Sequence, residues 1–333
     1  MTFVEHLRIK IPALLKALFG LAVFICADYS IYYLFDLIGL DRDIYRGVFN
    51  TAVAVSVFLT MFLLNKISAK LEAPLIRVSK LRPDQLGALF VIAIGMLGFV
   101  STYIGIADAI AEHFKPVEEA VEVYRENVDR YSDTPQIIVP LWDSLLYAFT
   151  LSFFVPITEE MAFRGVIFGE LRKGFGPVLS VIISAVIFGI MHGRSLHIGY
   201  AFVCGVIIAS AYHLTGSIVA PVFLHMIFNI FGSGLQNILG LEQLNVPLDF
   251  YILFFSALNI VTVVFMPLSV FAFIYLAAVK KRKEADKQKV ADYISSREEE
   301  KAKETDEDDK ADGSEKSDAD ESAESCEVTE DEE

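Results

Sequence analysis

Eight segments of this 333-residue chain are long runs of apolar residues: 14–38, 48–64, 86–111, 142–171, 178–192, 198–213, 218–231 and 251–279. A bilayer core of about 30 Å takes roughly 20 mostly apolar residues in a helix. The pattern therefore predicts an all-α, polytopic protein with about eight transmembrane helices. The polar segments between the runs differ in sign. Residues 65–85 hold five basic and two acidic side chains, whereas 112–140 hold three basic and seven acidic ones. Basic loops stay in the cytoplasm, which places the first segment inside and the second outside. Lys280, Lys281, Arg282 and Lys283, directly after the last run, are then inside as well. With eight crossings, both termini are cytoplasmic.

In the outer segment, Val117, Val121, Tyr124, Val128 and Tyr131 recur at steps of four and three. That spacing predicts a helix with one apolar face, which lies on the membrane or over the mouth of the protein, or simply packs against other helices. The first apolar run follows Arg8 and Lys10, passes Asp28 and shows no small-x-small cleavage site. It reads as a retained span and not as a signal peptide. Cys26, Cys204 and Cys326 stand far apart with no metal or redox spacing, so no disulfide framework is implied.

The formal net charge of −15 changes the picture once it is located. The segment 284–333 carries 22 acidic and 7 basic side chains, and the segment 1–283 carries 21 of each sign. The organisation is therefore a neutral membrane domain, 1–283, followed by an acidic tail, 284–333. The tail has almost no large apolar residues to bury, which predicts a disordered cytoplasmic segment. A mean hydropathy of +0.49 with 54% hydrophobic residues excludes a soluble acidic enzyme. No basic stripe suggests nucleic-acid binding.

Ionisable side chains inside a bilayer are costly and mark functional candidates. The fourth run carries Glu159, Glu160 and Arg164, the fifth Phe188 and His192, the seventh His225 and Asn229. On a rise of about 1.5 Å per residue, Glu159 lies roughly 18 Å above Leu171 and His192 roughly 21 Å above Val178. His225 and Asn229 lie roughly 15 and 21 Å from Thr215 on the same rise, so three helices bring polar groups to one layer. Duller readings exist for each. Thr158 after Pro156 could cap a helix with two Glu in its first turn, a lone His is often a packing residue, and Asn229 could join two helices. Two carboxylates, two imidazoles, an amide and an arginine at one depth are harder to explain as packing, and point to a hydrolytic centre.

These residues also resemble the motifs of the CPBP family, the CAAX proteases and bacteriocin-processing enzymes, also called the Abi family. Its pattern is a Glu pair with Arg four positions after the second Glu, then Phe-x-x-x-His, then His-x-x-x-Asn or Asp. All three occur here in order and evenly spaced, His192 standing as far beyond Glu159 as His225 stands beyond His192. The context from Thr215 to Pro221 is similar too, and the resemblance covers about 142–231. It implies an intramembrane endopeptidase in which Glu159, with His192, holds and activates water. It also implies that His225 and Asn229 face the substrate carbonyl as oxyanion donors, and that Glu160 pairs with Arg164 to hold the site in shape. A carboxyl group in a partly dry site is a stronger base than one in water, which suits this work.

A metal competes for the same residues. Glu159, His192 and His225 could bind Zn²⁺ with an open water position, although no compact pair such as His-Glu-x-x-His forces one. The expectation is that no cofactor is obligatory, with Zn²⁺ as the alternative. The stretch 193–197 joins two short spans, 178–192 and 198–213, and is expected below the outer surface in a wet cavity. His197 and His213 lack a motif match and both read as structure, although Arg194 or His197 could line that cavity. The expected partners are the bilayer and a membrane-associated or lipid-modified polypeptide. In eukaryotic members the resemblance implies removal of the last three residues of a prenylated protein, and in prokaryotic members leader-peptide or immunity roles. A transporter is disfavoured because the polar motifs occupy only the second half. A non-catalytic membrane scaffold or immunity-type protein remains the alternative.

Overall fold

The computed structural model describes residues 3–129, 139–193 and 195–324, with side chains for 8–125, 139–193 and 196–298. Arg194, Tyr131 and the side chain of Val128 lie outside the described residues. Among the described residues the regular structure is entirely helical. Helices α1 (Phe3–Ile38), α2 (Arg46–Leu71) and α3 (Pro83–Ala111) form the first three crossings. The outer helix α4 (Lys115–Asp129) follows. The fourth crossing, Leu141–Gly174, is one continuous helical path. Within it α5 (Leu141–Phe149), α6 (Val155–Glu160) and α7 (Phe168–Gly174) are separated by π-helical turns at Thr150–Phe154 and Met161–Ile167. Then come α8 (Pro177–Met191), α9 (Ser195–Thr215) and α10 (Val219–Asn229). A third π turn, Ile230–Gly234, leads into α11 (Leu235–Leu239), and α12 is Leu248–Glu324.

Seven helices among the described residues are long and apolar enough to cross a membrane, and α8 is a shorter apolar helix. Together they account for the eight apolar runs, so this is a multi-pass membrane protein. The 15 residues of α8 reach only roughly 22 Å. The helix ends where His192 caps it and Gly193 takes φ +73°, a left-handed turn that glycine adopts without strain. Two π turns lie within the fourth crossing, and the third carries the seventh on to Leu239; turns of this kind cluster at functional sites.

Two units are distinguished, Met1–Ala277 and Ala278–Glu333. In the first, one buried cluster joins Ala17 of α1 and Met61 of α2 to Phe163, Ile167 and Leu171 of the fourth crossing. A second joins Leu89 and Met96 of α3 to Ile208, Leu224 and Leu276 on α9, α10 and α12. Small residues permit the close approaches, as expected where hydrocarbon surrounds the bundle and van der Waals contact drives packing. A Cβ on Gly98 would stand 2.2 Å from the carbonyl oxygen of Thr262, and one on Gly47 would stand 2.2 Å from that of Asp143. Large apolar side chains such as Phe19, Leu63, Leu253 and Phe271 point outward and form the lipid-facing surface. In the second unit every side chain from 281 to 298 is exposed, as suits a stretch rich in charges of both signs. A helix without a packed face is marginal in water.

The outer helix α4 packs by the predicted face. Val121 is buried with Ala107 of α3 and Leu196 of α9, and Val117 and Tyr124 flank it. At the start of α5, Asp143 is wholly buried. Its carboxylate accepts the backbone N–H groups of Gly47 (2.7 Å) and Val48 (2.9 Å). These belong to the first turn of α2, whose donors have no partner within their own helix. A carboxylate from the fourth crossing thus caps α2 and faces the positive end of its dipole.

Candidate active site

A cavity of about 720 Å³ opens among α3, α4, the fourth crossing and α8 to α12, and Glu159, His192, His225 and Asn229 all line it. The three predicted motifs therefore meet at one place. Glu160 and Arg164 do not line the cavity but lie fully buried behind it.

The local sequence explains this split. Glu159 and Glu160 are adjacent on α6, so their side chains diverge by about 100°, one toward the cavity and one toward the bundle. Arg164 lies one turn on, in the π segment, and its Nη1 donates to Glu160 Oε1 at 3.0 Å. Nη2 donates to the carbonyl of Gly205 at 3.3 Å, and the guanidinium rests 4.4 Å from the centre of the Phe188 ring. Glu160 Oε1 also receives His225 Nδ1 at 2.7 Å, so it ties the first motif to the third. His225 Nε2 faces Glu159 Oε2 at 3.9 Å. His225 is thus held between the two glutamates, an arrangement that the separate motifs do not reveal.

His192 is oriented by its own helix. Its Nδ1 lies 2.8 Å from the carbonyl of Phe188. A carbonyl only accepts, so Nδ1 carries a proton, and the neutral ring in this tautomer presents the Nε2 lone pair. Aromatic neighbours fix the ring: Phe188 on one side (4.5 Å between centroids) and His197 on the other (4.8 Å), with Tyr200 stacked on His197 at 4.7 Å. His197 lines the cavity, as expected from its place after the short α8.

Asn229 is oriented by a break in another helix. Val155 donates its N–H to Thr150 across the π turn, and residue 156 is proline, which has none. The carbonyl of Leu151 loses its helical partners in this way. Asn229 Nδ2 supplies a replacement at 2.9 Å, leaving its second N–H for the cavity. Pro156 therefore does more than allow a fresh helix start: it leaves the acceptor that holds Asn229.

Among the described residues, no three His, Cys, Asp or Glu side chains are gathered as a group able to hold a metal ion. His225 Nδ1 is bound to Glu160 and its Nε2 stands 3.9 Å from Glu159 Oε2, so of the metal-ligand candidates Glu159, His192 and His225, the first and last face each other across the cavity.

Comparison with known proteins agrees with the motif resemblance. Residues 141–231 match the family model described as type II CAAX prenyl endopeptidase Rce1-like. The chain is 32% identical over 123 residues to "Putative membrane peptidase YdiL" of Bacillus subtilis (strain 168), covering 37% of this chain and 50% of that protein. It is 30% identical over 105 residues to "Membrane-embedded CAAX protease MroQ" of Staphylococcus aureus (strain USA300), covering 30% of this chain and 42% of that protein. The matched part thus spans half or less of each of these relatives. No solved structure gives a significant match.

Proposed function

We propose that the chain is an intramembrane endopeptidase that hydrolyses a peptide bond in a membrane-associated or lipid-modified polypeptide. The observation that carries this reading is the convergence of Glu159, His192, His225 and Asn229 on one cavity with a buried Glu160–Arg164 pair behind it. In the proposed reaction Glu159, with His192 Nε2 as a second acceptor, orients a water molecule and takes one of its protons. The water oxygen attacks the carbonyl carbon. The negative charge that develops on the carbonyl oxygen is met by the free N–H of Asn229 and by His225. With Nδ1–H given to Glu160, donation by His225 uses a second proton on Nε2, so the ring acts in this step as an imidazolium between two carboxylates. Breaking of the C–N bond returns the proton from Glu159 to the leaving amine, giving a new carboxyl and a new amino terminus.

The water is activated by the glutamate without an obligatory metal, a reading that rests on the lack of a compact ligand pair such as His-Glu-x-x-His in the sequence. Treatment of the purified protein with a chelator then leaves activity in place, and activity lost to chelator and regained with stoichiometric Zn²⁺ would overturn that part. The charges of the loops support cytoplasmic termini at both ends. Terminal peptide profiling of membranes that express wild type or Glu159→Gln tests the reaction. New termini that appear only with wild type support it, and identical profiles from two correctly inserted proteins refute it.

A further inference from the structure

Besides the reacting groups, the cavity lining carries polar side chains that the proposed chemistry does not use. Ser101 of α3, Gln236 of α11 and Asn259 of α12 all line the same space. None of the three side chains has a hydrogen-bond partner among the described residues. Asn259 is the least expected of them. It is the one amide in a largely apolar stretch of helix, roughly 16 Å along the rise from Leu248 and so near the middle of a bilayer core. Unpaired polar groups at that depth face a bundle interior or a wet cavity because lipid cannot satisfy them.

We propose that Gln236 and Asn259, assisted by Ser101, bind the extended main chain of the substrate beside the bond to be cut. This rests on the proteolytic reading above and adds a substrate-binding wall to it. A peptide bond within a helix has its carbonyl engaged and its faces covered, so a bond offered to Glu159 belongs to an unwound stretch. Each residue of such a stretch exposes an N–H and a C=O, which must find partners away from bulk water. A carboxamide both donates and accepts and can pair with either group of an extended chain. Selectivity then follows from backbone conformation more than from side-chain identity. Segments that unwind readily within the membrane are accepted, and stable helices are refused.

The test uses a synthetic peptide spanning a cleavage site from the terminal profile, with the full-length protein in phosphatidylcholine vesicles. Asn259→Leu and Gln236→Leu are each expected to raise KM about tenfold, the effect of one lost hydrogen bond, with kcat held within about twofold. Peptides in which one amide N–H flanking the cut is replaced by an ester oxygen supply an arm that needs only wild-type protein. At least one such ester raises the wild-type KM by a similar factor and adds nothing further in the matching Leu variant, as coupling between contacting groups requires. Unchanged KM in both variants, or esters without effect at every flanking position, overturns the proposal. Those results come with cleavage intact, whereas a wild-type protein that never cuts the peptide refutes the proteolytic reading instead.

Discussion

Replacing Arg164 with Met is expected to destabilise the protein by about 3–5 kcal/mol, the range for removing one partner of a buried ion pair. The geometry supports that size. Arg164 is fully buried and donates to Glu160 at 3.0 Å and to the carbonyl of Gly205 at 3.3 Å. Hydrogen bonds to charged groups contribute about 1.5–3 kcal/mol, and a desolvated guanidinium over an aromatic face about 2 kcal/mol. Methionine keeps most of the apolar stem but leaves Glu160 with His225 as its partner in the interior. Much of the cost is therefore a buried carboxylate left with one partner where it had two, and adding Glu160→Gln should recover part of it. Equilibrium unfolding in mixed micelles of wild type, Arg164→Met and the double variant measures each term. A cost below about 1 kcal/mol, or a double variant no more stable than Arg164→Met alone, would refute the buried-pair account.

Three other contacts are open to test, two by the same unfolding assay and one by proteolysis. Asp143→Ala removes the cap on α2 and should cost about 1.5–3 kcal/mol, while protein that remains folded keeps its activity. Gly98→Ala forces a Cβ against the Thr262 carbonyl, so it should weaken the docking of α12 on α3, read as faster proteolysis of α12. Glu72 accepts hydrogen bonds from Lys16 and Lys173, which hold its carboxyl down to about 2. A carboxyl held low in the folded state contributes stability above its ordinary range and loses it as pH falls through about 2. The pair is half exposed, so Glu72→Gln should cost less than about 1 kcal/mol at neutral pH. Stability curves of variant and wild type should converge as the pH approaches about 2, and a constant gap contradicts the assignment.

The spans were legible because hydrocarbon demands an apolar run of fixed length, and the motifs because helical spacing puts i and i+4 side chains on one face. What escaped the sequence was contact between distant segments. His225 and Asn229 were readable as neighbours, but nothing local places His225 between two glutamates of another crossing. Pro156 was read as a helix start, and its effect on the Leu151 carbonyl depended on a π turn that no local pattern announces. Asp143 carried a weak signal, an acid in a first helical turn shortly after Pro140, yet the helix that it caps is α2 and not its own. Asn259 is a lone amide in the last apolar run, and an amide carries a weaker signal than an ionisable group because it costs less to bury. The outer helix shows the reverse: period and apolar face were both readable, and Val121 is buried as the pattern implied.

The central claim is that Glu159 activates a water molecule that itself attacks the peptide carbonyl. Single-turnover cleavage in heavy-oxygen water tests it most directly, with the wild-type protein in excess over a peptide from the terminal profile. The account predicts one heavy oxygen in the new carboxyl terminus during the first turnover, and no cleavage by Glu159→Gln. A first-turnover product with only ordinary oxygen would mean that a protein carboxylate attacked the carbonyl and that water then released it. That result, or full-rate cleavage by Glu159→Gln, would contradict the account.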